Sequence, residues 1–259
     1  MDPSQGRDGS ADFDPRSYAN RVTAIYRDNY AARYGRLYLE PWPRKHELNL
    51  HNLAQILDAL PIAEPSWLDL ACGQAWHFAR FVGRARMYGL DLSPAQLARA
   101  RINAPTAAFV RADMVDAPFL RRSFDLATIF WGAYCYLDSA ERIEALLHNA
   151  MCCLRPGGTL YIEVLLPRDL ASFNESHFSR TNGFTVTPRT ADYEQWSYDD
   201  FGGRHWMMSP PLQFFLDIVA PEFEQIEAKH DGGFMVHLIA GKLGNRGPRH
   251  IATGIAPLR

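Results

Sequence analysis

Lysine is nearly missing from this chain of 259 residues, occurring only at 45, 229 and 242, so arginine carries almost all of the 27 positive charges. Against 29 acidic residues the formal charge is −2, and no basic stripe of the kind that neutralises phosphates is present, which argues against a nucleic-acid partner. Cysteine is scarce too. Cys72, Cys135, Cys152 and Cys153 make no Cys-x-x-Cys pair and no Cys/His ligand spacing, so they read as free thiols in a reducing compartment. The histidines show no ligand-like spacing either, and no metal is expected. The longest apolar run, Leu126–Leu137, falls far short of the about 20 residues that a bilayer helix needs. The first ten residues lack the apolar core of a secretory signal. Repeats and low-complexity tracts are absent. The expectation is a cytoplasmic, soluble protein with no membrane partner; a homodimer is left open.

Present instead is enough apolar material, 47% of residues, for one substantial core. Residues 1–13 are polar and read as disordered. Asp14-Pro15 then reads as an N-cap with proline at the first helical position. The following helix carries Tyr18, Val22, Tyr26, Tyr30 and Tyr34 at four-residue spacing. A second helix with Leu53, Ile56, Leu57 and Leu60 completes a helical lid over 14–60. From Trp67 the pattern alternates: strands at 67–70, 86–90, 107–111, 124–130 and 158–165, with helices between them. Such alternation predicts an α/β domain, a parallel sheet with helices on both faces. After Leu166 the reading changes to a small antiparallel β insertion within 168–208. A helix to Val219 and two strands turning at Asp231-Gly-Gly233 follow. The domain is taken to end near 244, with 245–259 loose.

The informative stretch is Trp67-Leu-Asp-Leu-Ala-Cys-Gly-Gln-Ala-Trp-His77, read with Asp91. An apolar strand enters a small-residue turn centred on Gly73, and a helical run through Phe78, Ala79, Phe81 and Val82 is expected after it. A second strand then ends in a carboxylate, at the spacing a βαβ nucleoside site uses to hold ribose hydroxyls. A nicotinamide fingerprint would need glycine where Ala71 and Trp76 stand, and Trp76 cannot let a helix press onto a strand. The cofactor expected is adenosine-containing.

Asp69-Leu-Ala-Cys-Gly73-Gln-Ala, Gly89-Leu-Asp91-Leu-Ser93, Arg111-Ala-Asp113-Met114 and Leu154-Arg-Pro-Gly-Gly158 stand in the order found in class I S-adenosylmethionine-dependent methyltransferases, which residues 60–166 resemble. The resemblance implies a Rossmann-like seven-stranded sheet and S-adenosylmethionine as cofactor. It implies that Asp69 and the Ala71, Cys72, Gly73 and Gln74 backbone hold the methionine portion, that Asp91 binds the ribose diol and that Leu92 packs on adenine. Asp113 would accept from the adenine amino group with Met114 beside it, and Phe130 and Trp131 would line the methyl channel. Ala71 and Ala75 depart from a pattern that often has glycine there, which narrows the turn without closing it.

Methyl transfer is an in-line displacement that asks mainly for alignment. A base helps a hydroxyl more than an amine. Phe130-Trp-Gly-Ala-Tyr134 stands where a nucleobase-methylating motif would be, which argues for another small molecule. The N-terminal tyrosines and the aromatic insertion loosely resemble sugar N-methyltransferases of secondary metabolism. Tyr18 and Tyr26 are expected at the cofactor, as is His77 at its carboxylate. Tyr30, Tyr134 and Trp206 are expected at the substrate. His205, with Asp199 and Asp200 behind it, is the candidate base. Glu163, on a buried strand, needs a partner, either substrate or a structural ion pair. The rival reading is a nucleoside-fold protein with a non-methylating role, such as a lyase-like enzyme or a cofactor-binding module.

Overall fold

The computed structural model describes residues 15–119, 121–244 and 250–254; the leader 1–13 and the Asp14 cap lie outside them. The main sheet contains β1 (Ser66–Leu70), β2 (Arg86–Asp91), β3 (Ala108–Arg111), β4 (Phe124–Ile129) and β5 (Leu154–Leu165). The small antiparallel sheet holds β6 (Thr185–Pro188), β7 (Gln195–Asp200) and β8 (Gly203–Met208). The chain then returns to the main sheet with β9 (Phe223–His230) and β10 (Met235–Leu243). The seven strands of the main sheet run β3-β2-β1-β4-β5-β10-β9, with β10 antiparallel to both neighbours. The tail expected to be loose contributes an eighth strand, β11 (His250–Gly254), whose backbone pairs in parallel with β9.

Every residue of β1 and β4 is buried, as a parallel strand covered on both faces requires. Alternation along β1 divides the core. Trp67 joins Leu126 and Tyr161 on one face, under α3 (Pro43–Ala59, through Leu53 and Leu57). Leu68 and Leu70 face the other side and join the cluster that holds α5 (Ala140–Cys153) and α8 (Leu212–Val219). Between them in sequence come α4 (Pro94–Asn103), α6 (Pro167–Phe173) and α7 (His177–Asn182). The strand order reverses on either side of β1, so a crevice forms above the carboxyl ends of β1, β2 and β4.

Three local readings are corrected. The tyrosine stripe is not one helix: α1 (Pro15–Ile25) stops, Arg27 turns extended at ψ 176°, and α2 (Asp28–Tyr34) begins again. The break is pinned by Ser93 Oγ, which donates to the Tyr26 carbonyl at 2.6 Å while capping α4 by accepting from Gln96 N. The run after Gly73 is a single 3-10 turn, Phe78–Arg80. Its aromatics point to different neighbours, Phe78 onto Trp67 and His77 onto Phe130, so no one face exists for a helix to bury. Arg155–Gly158 is a bulge inside β5 rather than a turn before it: Phe124 pairs with Leu154, and Leu126 with Thr159.

Candidate active site

β1 ends at Leu70 and the chain passes through Ala71, Gly73 and Ala75, all left-handed at φ 62°, 53° and 56°. Glycine takes that region freely; an alanine there costs about 1–2 kcal/mol. No atom lies within 4 Å of where a Cβ on Gly73 would stand, so the turn is open on that side despite its two alanines. The neighbouring strand is held close. A Cβ on Gly89 would meet Cys72 Sγ at 2.7 Å and Phe109 Cδ1 at 2.9 Å.

Asp91 closes this corner. Its Oδ2 accepts the Gly73 N–H at 2.9 Å and its Oδ1 the Ser93 N–H at 2.8 Å, and each oxygen keeps a lone-pair direction for a hydroxyl donor. Burial pushes its pKa up to about 6 against those two hydrogen bonds. Asp69 accepts from Thr128 Oγ1 at 2.6 Å. Burial pushes it up to about 7, and the charged groups acting on it, Asp91 and Glu163, are both acids. The pair leaves the pocket short of a cation.

These groups line a cavity with about 850 Å³ of empty space, part of it open to solvent. Tyr18, Tyr26, Asp69, Ala71, Cys72, Gly73, His77, Asp91, Leu92, Met114, Phe130 and Trp131 all line it, so the structure brings together the expected cofactor residues except one. Asp113 turns away. Its Oδ1 accepts the Val115 N–H at 3.0 Å and its Oδ2 pairs with Arg142 at 3.3 Å. Among cavity residues the sequence did not single out, Gln96 has a buried Oε1 without a hydrogen-bond partner, as has His77 Nε2. Burial, then the charge of Lys45, keeps His77 well below the usual histidine range, so it is neutral.

A second cavity, also of about 850 Å³ and partly open, lies beneath the lid and the β insertion. Its walls are mostly aromatic or aliphatic, among them Trp42, Phe173, Phe178, Phe184, Trp196 and Met235. Its charged side chains are Lys45 and Asp231. Lys45 is already paired with Glu163 at 2.7 Å, which settles the partner that Glu163 needs as structural. Tyr26, Tyr34, Trp131 and Tyr136 line both cavities and form the junction between them.

The expected substrate residues are placed differently. Tyr30 is buried within the lid, its hydroxyl donating to Asp200 Oδ2 at 2.7 Å and its ring stacked on Phe201. Tyr134 is fully buried; its hydroxyl accepts the Leu165 N–H at 2.9 Å and its ring packs edge-on to Phe215. Trp206 is 38% exposed and flanked by the guanidinium groups of Arg189 and Arg204. None of the three lines either cavity. His205 lines neither as well: it is fully buried, stacked on Tyr198 at 4.0 Å, with Nδ1 2.6 Å from Tyr136 Oη and Nε2 3.0 Å from Asp200 Oδ1. Asp199 instead pairs with Arg204 at the surface. Tyr34 and Tyr136 were the junction residues sequence reasoning passed over. Tyr34 belonged to the same tyrosine stripe. Tyr136 is two residues from Tyr134, and Trp131 and Gly132, both left-handed at φ 58° and 55°, decide which of the two faces the cavity.

Among the described residues no group of three or more His, Cys, Asp or Glu is arranged to hold a metal, and no helix is long and apolar enough to cross a membrane. Residues 68–158 match the family described as a methyltransferase domain. An uncharacterized methyltransferase from Synechocystis sp. is 34% identical over 117 residues, covering 44% of this chain and 51% of that one. The phthiotriol/phenolphthiotriol dimycocerosates methyltransferase of Mycobacterium leprae is 28% identical over 157 residues, covering 59% and 56%. The chain thus spans about half the length of these curated relatives. The fold is shared with the S-adenosylmethionine-bound amino pentose methyltransferase CalS10 of Micromonospora echinaspora, at TM-score 0.56 and 21% identity, covering 74% and 90%.

Proposed function

We propose that this chain, whose residues 68–158 match the methyltransferase domain family, is a class I S-adenosylmethionine-dependent methyltransferase that acts on a small, largely apolar acceptor. S-adenosylmethionine fits the first cavity on the residues present. The Asp91 carboxylate meets a ribose diol, the open side of Gly73 admits a bulky group, and Asp69, with no cation beside it, meets a positively charged one. The orphaned His77 Nε2 and Gln96 Oε1 supply polar contacts for a carboxylate and for the adenine edge, the latter in place of Asp113. The cofactor, when bound, supplies a methyl group on positively charged sulfur.

The observation that carries this reading is the shared junction. Tyr26, Tyr34, Trp131 and Tyr136 line both cavities, and this shared lining supports an acceptor in the second being presented to a methyl group held in the first. Such alignment is worth up to roughly 7–11 kcal/mol of barrier. Walls that are mostly aromatic, with polar groups confined to a few tyrosine hydroxyls, Lys45 and Asp231, favour an acceptor with one polar group over an amino sugar, whose several hydroxyls would lose water for too few partners. The mycobacterial relative, named for phthiotriol and phenolphthiotriol dimycocerosates, supports the same direction.

Calorimetry with S-adenosylhomocysteine and a transfer assay with tritiated S-adenosylmethionine test the reading. Binding is expected, with label moving to alkylphenols, naphthols or arylamines in preference to aminopentoses. Absence of binding sinks the cofactor assignment; label on aminopentoses alone sinks the apolar acceptor.

A further inference from the structure

One chain of hydrogen bonds leads from the cavity junction to a buried carboxylate. Tyr136 Oη lies 2.9 Å from Tyr26 Oη, 2.9 Å from Tyr198 Oη and 2.6 Å from His205 Nδ1. His205 Nε2 lies 3.0 Å from Asp200 Oδ1. The far end sets the proton directions. Asp200 also accepts from the Gly202 N–H at 2.7 Å, the Tyr30 hydroxyl at 2.7 Å and the Tyr38 hydroxyl. Burial works to raise its pKa, but the hydrogen bond of His205, with those of the two tyrosine hydroxyls, holds it below the usual carboxylate range. An ionised carboxylate only accepts, so His205 Nε2 carries a hydrogen, and in the neutral form of the ring that the relay uses Nδ1 is then the acceptor. Tyr136 gives its one proton to Nδ1. Tyr26 and Tyr198 then give theirs to Tyr136, and both, which line the acceptor cavity, have only lone pairs left to offer it.

We propose, on the methyl-transfer reading above, that Tyr26, Tyr136 and His205 form a proton relay for an acceptor with a phenolic hydroxyl. The acceptor O–H donates to Tyr26 Oη at the junction. As the acceptor oxygen bonds to the methyl carbon, the carbon–sulfur bond breaks with its electron pair left on sulfur. The acceptor proton passes to Tyr26, the Tyr26 proton to Tyr136, and the Tyr136 proton to His205 Nδ1. The imidazolium so formed is held by Asp200, and its proton leaves to solvent after the product departs. Both tyrosines end neutral. Neither is a resting base, since burial raises both hydroxyls well above their ordinary value; a relay needs only that each gains one proton while losing another. A phenol, with pKa near 10, hands over its proton far more readily than an aliphatic alcohol, and an amine with a free lone pair needs no such sink. The groups facing His205 are Tyr26 and Tyr30 from the lid, Tyr136, Tyr198 and Asp200, with Asp199 paired outward to Arg204. Tyr26 touches the acceptor and is the catalytic member; Tyr136 and His205 act through it as positioning residues.

The test uses the full chain with Tyr136→Phe and His205→Gln, both close to isosteric. Paired probes are naphthol with aminonaphthalene and heptylphenol with heptylaniline, given with tritiated S-adenosylmethionine. Turnover of the hydroxyl probes is expected to fall about 100-fold or more in both variants, the scale of general-base assistance. S-adenosylhomocysteine affinity stays within about twofold in both variants, while the paired amine probes lose far less turnover than the hydroxyl probes. Independently of turnover, nitrogen NMR of labelled histidine is expected to show His205 with its hydrogen on Nε2, and the Nδ1 resonance to move in Tyr136→Phe. A hydrogen on Nδ1, equal losses on hydroxyl and amine probes, or transfer to no hydroxyl probe at all overturns the relay. Failure of the wild type to bind S-adenosylhomocysteine overturns the methyl-transfer reading instead.

Discussion

Lys45 Nζ lies 2.7 Å from Glu163 Oε1, with the two side chains 5% and 0% exposed. The same ammonium stands 3.9 Å over the Trp131 ring, and Glu163 Oε2 accepts the Trp131 N–H at 2.6 Å. One ion pair therefore ties α3 of the lid to β5 and to the left-handed residue that separates the two cavities. Burial works against both charges; Lys45 and then His237 overcome it at Glu163, whose carboxyl is held below the usual range.

Breaking that pair from one side leaves a buried charge uncompensated. Glu163→Gln is expected to destabilise by about 3–5 kcal/mol in urea unfolding, with Lys45→Met on top of it recovering a large part. A loss below about 1 kcal/mol in the single variant would show that the pair does not anchor Trp131.

Asp69 predicts a pH-dependent gain from its own removal. Its folded pKa, about 7, lies above the ordinary carboxylate value near 3.8. Between those values the folded state binds more protons than the unfolded, so the residue's contribution falls as pH rises through that window. Asp69→Asn should therefore gain on the wild type steadily from pH 4 to 8 in thermal unfolding. His46, His77 and His237 are all lowered by burial and give the opposite slope below pH 6.5, so the difference between the two proteins is the quantity to follow. The same variant should bind S-adenosylmethionine more weakly. A constant difference across the range would refute the buried ionisation.

Asp91→Ala should weaken S-adenosylhomocysteine by at least about tenfold, the loss of two charge-assisted hydrogen bonds. Calorimetry of a folded variant with unchanged affinity would remove the ribose assignment.

Gly89→Ala drives a methyl group into Cys72 Sγ and Phe109, at 2.7 and 2.9 Å. Overpacking of that kind costs about 1–3 kcal/mol and pushes on the cofactor turn, so both melting temperature and S-adenosylhomocysteine affinity should drop. Adding Cys72→Ala should restore part of each. No effect of the second change would mean that the strain is taken up at Phe109 alone.

Tyr134 and Trp206 should behave as structure and surface. Tyr134→Phe loses the bond to the Leu165 N–H, about 1–3 kcal/mol for a buried donor left unpaired, with cofactor affinity unchanged. Trp206→Ala should shift stability by no more than about 0.5 kcal/mol and leave label transfer as it was. A large drop in transfer for either would return that residue to the substrate site.

Much of the cofactor corner was legible because it is local. Asp69, Gly73 and Asp91 sit at strand ends, and a parallel strand pair fixes what lies across from what: Asp69 is in register with Gly89 and Thr128. Asp113 stands outside the cavity lining for an equally local reason, since an acid in a loop takes the nearest backbone N–H and cation, here Val115 and Arg142. The acceptor side was harder. A tyrosine at helical spacing has its azimuth reset by any break, and the break at Arg27 separates Tyr18 and Tyr26 from Tyr30 and Tyr34.

Composition, the alternation of strands and helices, and the order of four short motifs were enough to determine an α/β nucleoside-binding domain, because backbone periodicity and close approach act over a few residues. Which aromatics face the junction, that Lys45 answers Glu163, and that His205 stands behind Tyr136 were decided only by tertiary structure. Those contacts join residues more than 60 positions apart, and their geometry depends on where the lid and insertion dock rather than on any spacing along the chain.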